Sequence, residues 1–172
     1  MSLALSIVVP VKDEEQSIEP FVTRVRAVLE ALDDPSARSF EILFIDDGSS
    51  DSTLERVRAI HLADPRVKAV SLSRNFGKEA ALSAGLDFAD GEAVIPIDVD
   101  LQDPPEVLGE MIAKWREGFD IVYGVRTNRD SDSLPLQALL VQGLQSVVMP
   151  KMKEGAGYVG VAAGQFRLPS QP

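Results

Sequence analysis

Asp98 and Asp100 are the residues whose type and spacing point most directly to chemistry. Two positions apart in extended backbone, their side chains point to the same side. Adjacent carboxylates repel, and without compensation one of them takes up a proton. A hard divalent cation removes that conflict and can hold a diphosphate at the same time. The competing reading is a solvated acidic turn before a helix, a task Asp103 could perform alone. The pair follows the apolar run Ala93 to Ile97 and has Gln102 beside it, which favours the metal site.

Polar clusters follow the other apolar runs too: Pro10 to Glu15, Asp46 to Asp51, Ser73 to Lys78 and Arg126 to Arg129. Asp46 comes directly after Leu43-Phe44-Ile45. A carboxylate there can accept a hydrogen bond from a pyrimidine imide N–H or a guanine N1–H, and both bases stay open. Asp47 to Ser50 is good turn chemistry and needs no ligand to explain it. Lys78, Arg74, Arg126 and Arg129 are the cations near this rim. Solvated surface side chains are the usual fate of Lys and Arg, but placement on these loops makes phosphate contact an expectation. His61 belongs on the exposed side of its helix and outside the clusters. Trp115 falls on an apolar stripe and reads as core.

The elements that must position these loops follow from periodicity. Leu5 to Val9 is a continuous apolar run, as in a strand covered on both faces. Ile18, Phe21, Val22, Val25, Val28, Leu29 and Leu32 recur at helical spacing, and Pro35 ends that helix. Phe40 to Ile45 is a second strand. Ser52 with Glu55 has the pattern of a capping box opening a helix with Leu54, Val57 and Ile60. Val67 to Leu72 is a third strand, and Glu79 to Phe88 an Ala-rich helix able to pack closely on a sheet. Ala93 to Ile97 is a fourth strand. Pro105 suits the first turn of a helix with Val107, Leu108, Met111, Ile112 and Trp115 inside, and Gly118 stops it. Asp120 to Val125 is the fifth strand. Five alternations of strand and helix predict an α/β fold with an open, mostly parallel sheet flanked by helices in a single domain. Ligands of such sheets sit beyond the carboxyl ends of the strands, where all five clusters lie.

Composition narrows the partners. The 172 residues carry a formal net charge of -10, which argues against nucleic acid. An anionic ligand would need a bound cation or locally placed Arg and Lys. There are no cysteines, so a metal must be held by oxygen or by His61. The start lacks the basic and apolar regions of a signal peptide, and no run approaches the ~18 apolar residues of a membrane span. Residues 1–133 hold 14 Lys/Arg and 26 Asp/Glu, whereas 134–172 hold three and one. Gly155, Gly157, Gly160 and Gly164 crowd the later stretch. The expected division is a ligand-binding domain over 1–133 and an atypical C-terminal tail over 134–172, an appendage of weak structural propensity.

The segments VVPVKDEE, FIDDGSSD, SRNFGKEAAL, IDVDLQDPPE and YGVR, in that order, resemble family 2 glycosyltransferases of the GT-A (Rossmann-like) fold. More narrowly the chain is similar to the polyprenyl-phosphate (dolichyl- or undecaprenyl-phosphate) hexosyltransferases, over about Leu5 to Asp132. DLQDPPE and NFGKEAAL are specific to that branch. The resemblance implies that Pro10, Val11 and Glu14 border the nucleoside and that Asp46 binds the base, within a nucleotide-binding set that also takes in Asp47, Lys78 and Asp98. It implies that Asp98 and Asp100 hold Mg or Mn on the donor diphosphate. Asp100, Gln102 near the sugar and Arg126 near the phosphates or acceptor would serve catalysis. The family usually has Asn at Asp13. It also continues through a Gly-Asp-Phe-Arg-Leu motif that Gly164-Gln165-Phe166-Arg167-Leu168 echoes with Gln165 in the acidic position. A chain cut short of the usual C-terminus is therefore expected.

The implied function is metal-dependent, inverting transfer of a hexose from a nucleoside-diphosphate sugar to a polyprenyl phosphate or related cell-envelope acceptor. The expected partners are a UDP- or GDP-sugar donor and a polyprenyl-phosphate acceptor, with a homo-oligomer allowed. The expected location is cytoplasmic, at most peripheral on the cytoplasmic membrane face. Two alternatives differ in class. One is an inactive or regulatory nucleotide-binding remnant. The other is a phosphatase of the haloacid-dehalogenase type, whose nucleophile pair Asp98-Val99-Asp100 resembles, although that pair normally follows the first strand.

Overall fold

The computed structural model describes residues 3–101, 105–119, 121–125, 147–150 and 163–167. β1 (Leu5–Val11), α1 (Ile18–Ala31), a 3-10 turn (Pro35–Arg38), β2 (Phe40–Asp46), α2 (Thr53–Ala63) and β3 (Val67–Ser71) come first. α3 (Lys78–Phe88), β4 (Ala93–Pro96), α4 (Val107–Arg116), β5 (Ile121–Val125), β6 (Val147–Pro150) and β7 (Ala163–Arg167) follow. The sheet order is β3-β2-β1-β4-β6-β5-β7. Strands β1 to β4 pair parallel, β6 runs antiparallel to both β4 and β5, and β7 is parallel to β5. One reversed strand among seven leaves the sheet mostly parallel, as expected. Two of its strands come from the segment read above as an appendage. Val147–Pro150 lies between β4 and β5, so that stretch is inside the sheet, and β5 is not the neighbour of β4.

The two faces are covered unequally. Alternate residues Leu5, Ile7, Val9, Ile42, Phe44 and Ile95 join a large core with Phe21, Val25 and Leu29 of α1, Val57 of α2, and Leu108, Met111 and Ile112 of α4. Half-buried Trp115 packs against this core, in keeping with its place on the apolar stripe. The opposite face, Val8, Leu43, Ile45 and Val94, meets Ala81 of α3 and Ala89 just beyond it. From β3 the chain recrosses the sheet to β4, and the right-handed crossover rule sends α3 to this other side. Small residues let it sit close: a Cβ on Gly85 would lie 2.2 Å from Val8 Cγ1.

Strand ends set the position of the loops. Val11 is level with Asp46, and Asp46 with Ser71, so three strands finish in line. The chain runs outward from β1 to β3 and then returns to the far side of β1 as β4. A crevice opens where strand order reverses, between the loops after β1 and β4. The capping box does not form. Ser52 makes no side-chain cap; Asp51 Oδ1 instead accepts the Thr53 N–H at 2.9 Å and Glu15 Oε2 the Ser52 N–H at 3.2 Å. No helix among the described residues is long and apolar enough to cross a membrane.

Candidate nucleotide and metal site

A cavity of about 440 Å³ occupies that crevice, lined by Pro10, Val11, Lys12, Glu14, Asp47, Asn75, Gly77, Lys78, Ala81, Asp98, Val99 and Asp100. Its size suits a small-molecule site. Seven of the residues singled out from sequence meet here: Pro10, Val11, Glu14, Asp47, Lys78, Asp98 and Asp100. Gln102 and Arg126 lie outside the described residues. Lys12, Asn75, Gly77 and Ala81 line the cavity without having been assigned a role; the place of the first three in the strand-end clusters hinted at it, and Ala81 comes from α3.

Asp98 and Asp100 flank Val99, which is buried in the large core. Burying the middle residue leaves both carboxylates on the cavity side. The local geometry differs from the extended backbone expected: β4 stops at Pro96, Val99 and Asp100 form a turn, and Leu101 takes a left-handed φ of 58°. Leu101 packs against the core, which holds this unfavourable conformation in place. Lys78 reaches Asp98 across the crevice, its Nζ 2.7 Å from Oδ1 and 2.8 Å from Oδ2. Acidic Glu14, Asp47, Asp98 and Asp100 face basic Lys12 and Lys78, so the lining carries two negative charges in excess. A divalent cation would balance it. The donor set is hard oxygen, and an ammonium already sits on one carboxylate, so the pair fits Mg or Mn. Among the described residues no three acidic or His side chains converge on such a point. Phosphate and water oxygens would complete the shell, as is usual for magnesium.

The wall behind is a laced pair of loops. Asp13 adopts a φ of 54°, a conformation that Asn and Asp tolerate better than other side chains with a Cβ. Its N–H donates to Ser49 Oγ at 2.9 Å, and its Oδ1 accepts the Ser50 N–H at 2.7 Å. The Lys12 ammonium and then the Ser50 N–H hold the Asp13 carboxyl well below the usual carboxylate range. Glu14 N–H donates to Thr53 Oγ1 at 2.8 Å. Asp46 sits behind this wall, 3 % exposed and outside the cavity lining. Its Oδ1 accepts the Ser49 N–H and its Oδ2 the Ser71 hydroxyl, each at 3.1 Å. In this arrangement Asp46 shapes the loop.

Asp47 grips the neighbouring loop. Its Oδ1 accepts the Phe76 N–H at 2.7 Å and its Oδ2 the Gly77 N–H at 2.9 Å. These groups lie just before α3, so Asp47, in the loop after β2, pins the segment that leads into the helix. Gly48 makes the approach possible: with φ of 70°, it lets the Arg74–Asn75 backbone pass where a Cβ would meet it at 2.7 Å. Arg74 lies over the Phe76 ring at 4.7 Å. His61, on the exposed side of α2, is 2.7 Å from the Val67 carbonyl through Nδ1, remote from the cavity.

Residues 6–154 match the model of glycosyl transferase family 2. A bactoprenol glucosyl transferase of Shigella phage SfV is 48 % identical over 130 residues, covering 76 % of this chain and 41 % of the relative. The chain thus spans about two fifths of the length of such relatives. Among solved structures, a mannosyltransferase of Pyrobaculum calidifontis in complex with GDP-Man and Mn²⁺ superposes with a TM-score of 0.58 at 25 % identity, covering 76 % of this chain and 37 % of that one. Glucosyl-3-phosphoglycerate synthase of Mycobacterium tuberculosis gives 0.59 at 24 % identity over 86 % and 57 %. The helix-flanked parallel sheet is that of GT-A glycosyltransferases, as the sequence led us to expect. The family match also sets aside the phosphatase alternative. This chain belongs to glycosyltransferase family 2.

Proposed function

We propose that the chain is the donor-binding part of a metal-dependent, inverting hexosyltransferase that moves a sugar from a UDP- or GDP-sugar to a polyprenyl phosphate on the cytoplasmic face of a membrane. The observation that carries this reading is the carboxylate pair Asp98 and Asp100, exposed to one cavity on either side of buried Val99. The bactoprenol glucosyl transferase relative supports the acceptor class, and the Mn²⁺ and GDP-Man of the mannosyltransferase structure support the cation and the donor. On this reading residues 1–133 are the donor domain and 134–172 an atypical tail that still contributes strands.

Pro10, Val11 and Glu14 border the nucleoside, with the Asp46 loop beneath the base. Asp98 and Asp100 hold Mg or Mn, and Lys78 stands near the phosphates. Gln102 and Arg126 are assigned to the sugar and to the phosphates or acceptor by family resemblance. A cation held by Asp98 and Asp100 would supply positive charge against the negative charge that grows on the departing diphosphate. An acceptor phosphate oxygen forms a bond to the anomeric carbon as the bond to the nucleotide's terminal phosphate breaks, which inverts that carbon. A phosphate monoester has its second pKa near ~6, so the acceptor is ionised at neutral pH and no general base is required. The chain's task is then to position donor and acceptor and to stabilise charge.

A thermal-shift panel of UDP- and GDP-sugars with and without Mn²⁺ tests the reading. A ligand at 100 times its Kd stabilises by about 2.7 kcal/mol, so one base should raise the melting temperature clearly, and only with Mn²⁺ present. Absence of a shift with every donor would favour the inactive remnant.

A further inference from the structure

Two features of the site meet at Lys78. Its ammonium is centred on both oxygens of Asp98, at 2.7 and 2.8 Å, where a hard cation would bind. It is delivered there by a fixed loop, because the N–H groups of the two residues before it are held by Asp47. The Lys78 side chain is nevertheless 60 % exposed. Rotation about its own torsions is enough to carry the ammonium off Asp98 without unpacking α3.

We propose that Lys78 is the resident counterion of Asp98: it competes with the divalent cation when no donor is present, and the donor's phosphates draw it away, so that cation and donor bind as a coupled pair. The inference rests on the metal reading given above. An ammonium and a divalent cation cannot both sit on the same two oxygens, since they would stand only about 3–4 Å apart with like charge. Without donor, the ammonium rests on Asp98. With donor, the diphosphate supplies an anionic partner in the same cavity, and the cation can take the carboxylate. Donor therefore raises cation affinity, and by thermodynamic reciprocity the cation raises donor affinity by the same factor. Asp47 is the positioning residue that keeps the lysine within reach of both partners.

The test is Mn²⁺ titration of the full chain, followed by the EPR signal of free Mn²⁺, alone and with UDP or GDP. The proteins are wild type, Lys78→Met, Lys78→Arg and Asp98→Asn. Lys78→Met should bind Mn²⁺ at least about 5-fold more tightly than wild type without nucleotide, the lower bound of ordinary coupling factors. In the same variant nucleotide should enhance Mn²⁺ affinity less than it does in wild type. Lys78→Arg keeps the charge and should stay near wild type without nucleotide. If Lys78→Met leaves nucleotide-free affinity unchanged or weaker while Asp98→Asn loses Mn²⁺ binding, the counterion role is overturned and the metal reading stands. If Asp98→Asn binds Mn²⁺ like wild type, the metal reading fails and the proposal falls with it.

Discussion

Replacing Asp47 with alanine removes the acceptor of the Phe76 N–H, 2.7 Å from Oδ1, and leaves the Gly77 N–H, 2.9 Å from Oδ2, with Asn75 Oδ1 at 3.0 Å. A hydrogen bond to a charged group contributes about 1.5–3 kcal/mol, so two of them bracket ~3–6 kcal/mol before relaxation. Asp47 itself is 5 % exposed, but the stretch 73–76 is open to water. Water can take over the Phe76 donor and Asn75 Oδ1 keeps the Gly77 one, so the net loss should fall to the lower part of that range, about 2–3 kcal/mol. Asp47→Asn keeps one oxygen acceptor and turns an NH₂ toward the other N–H, and should lose about half as much. Urea denaturation gives the global loss, and amide exchange at Phe76 and Gly77 reports the loop directly. Exchange should quicken from wild type to Asn to Ala. An unchanged urea midpoint together with unchanged protection at those two amides would refute the grip assigned to Asp47.

Gly85→Ala tests the close seating of α3. Alanine in a helix interior ordinarily gains about 1 kcal/mol over glycine. Here its Cβ would lie 2.2 Å from Val8 Cγ1 and 3.2 Å from Ile45 Cγ1, so overpacking of about 1–3 kcal/mol should turn that gain into a loss. A raised melting temperature would contradict the packing. The acid limb of stability offers a third check. Asp64, hydrogen-bonded chiefly by the Arg66 side chain, is held below its ordinary value of 3.8, and Asp51, bonded by Thr53, is lowered as well. A depressed folded-state pKa contributes stability present above the unfolded value and lost as pH falls through the folded one. The melting temperature should therefore start to drop near pH 4, and Asp64→Asn should make that drop shallower; an identical slope in the variant would remove Asp64 from the account.

β1, β2 and α1 are legible because the two strands are buried on both faces and the helix carries a wide apolar stripe. Leu5 to Val9 and Phe40 to Ile45 announce themselves as continuous apolar runs, and α1 as a seven-residue periodic set. Ends are harder to read. β1 continues through Pro10 to Val11 because pairing with Ile45 and Asp46 extends it, information that lies 35 residues away. Val147–Pro150 could not be recognised as a strand by its own residues: it is four residues long, and its partners β4 and β5 lie far upstream. The capping box failed for a similar reason. Ser52 has the right type and spacing, but Asp51 and Glu15 reach the local N–H groups first. At the site, the members were visible as clusters after apolar runs, while their division of labour was not. The sequence points to Asp46 as the base partner and marks Asp47 as turn chemistry, whereas it is Asp47 that lines the cavity. Asp46, the last residue of β2, braces its own loop, and Asp47, just past the strand, reaches Phe76 and Gly77.

Calorimetric titration of the sugar nucleotide giving the largest thermal shift, with Mn²⁺, into wild type, Asp98→Asn and Asp100→Asn tests the carboxylate pair most directly. Each Asn keeps the shape of the side chain and removes its charge. Both variants should lose at least about 100-fold in Mn²⁺-dependent affinity, equivalent to ~2.7 kcal/mol. Affinity equal to wild type in both variants would contradict the metal site.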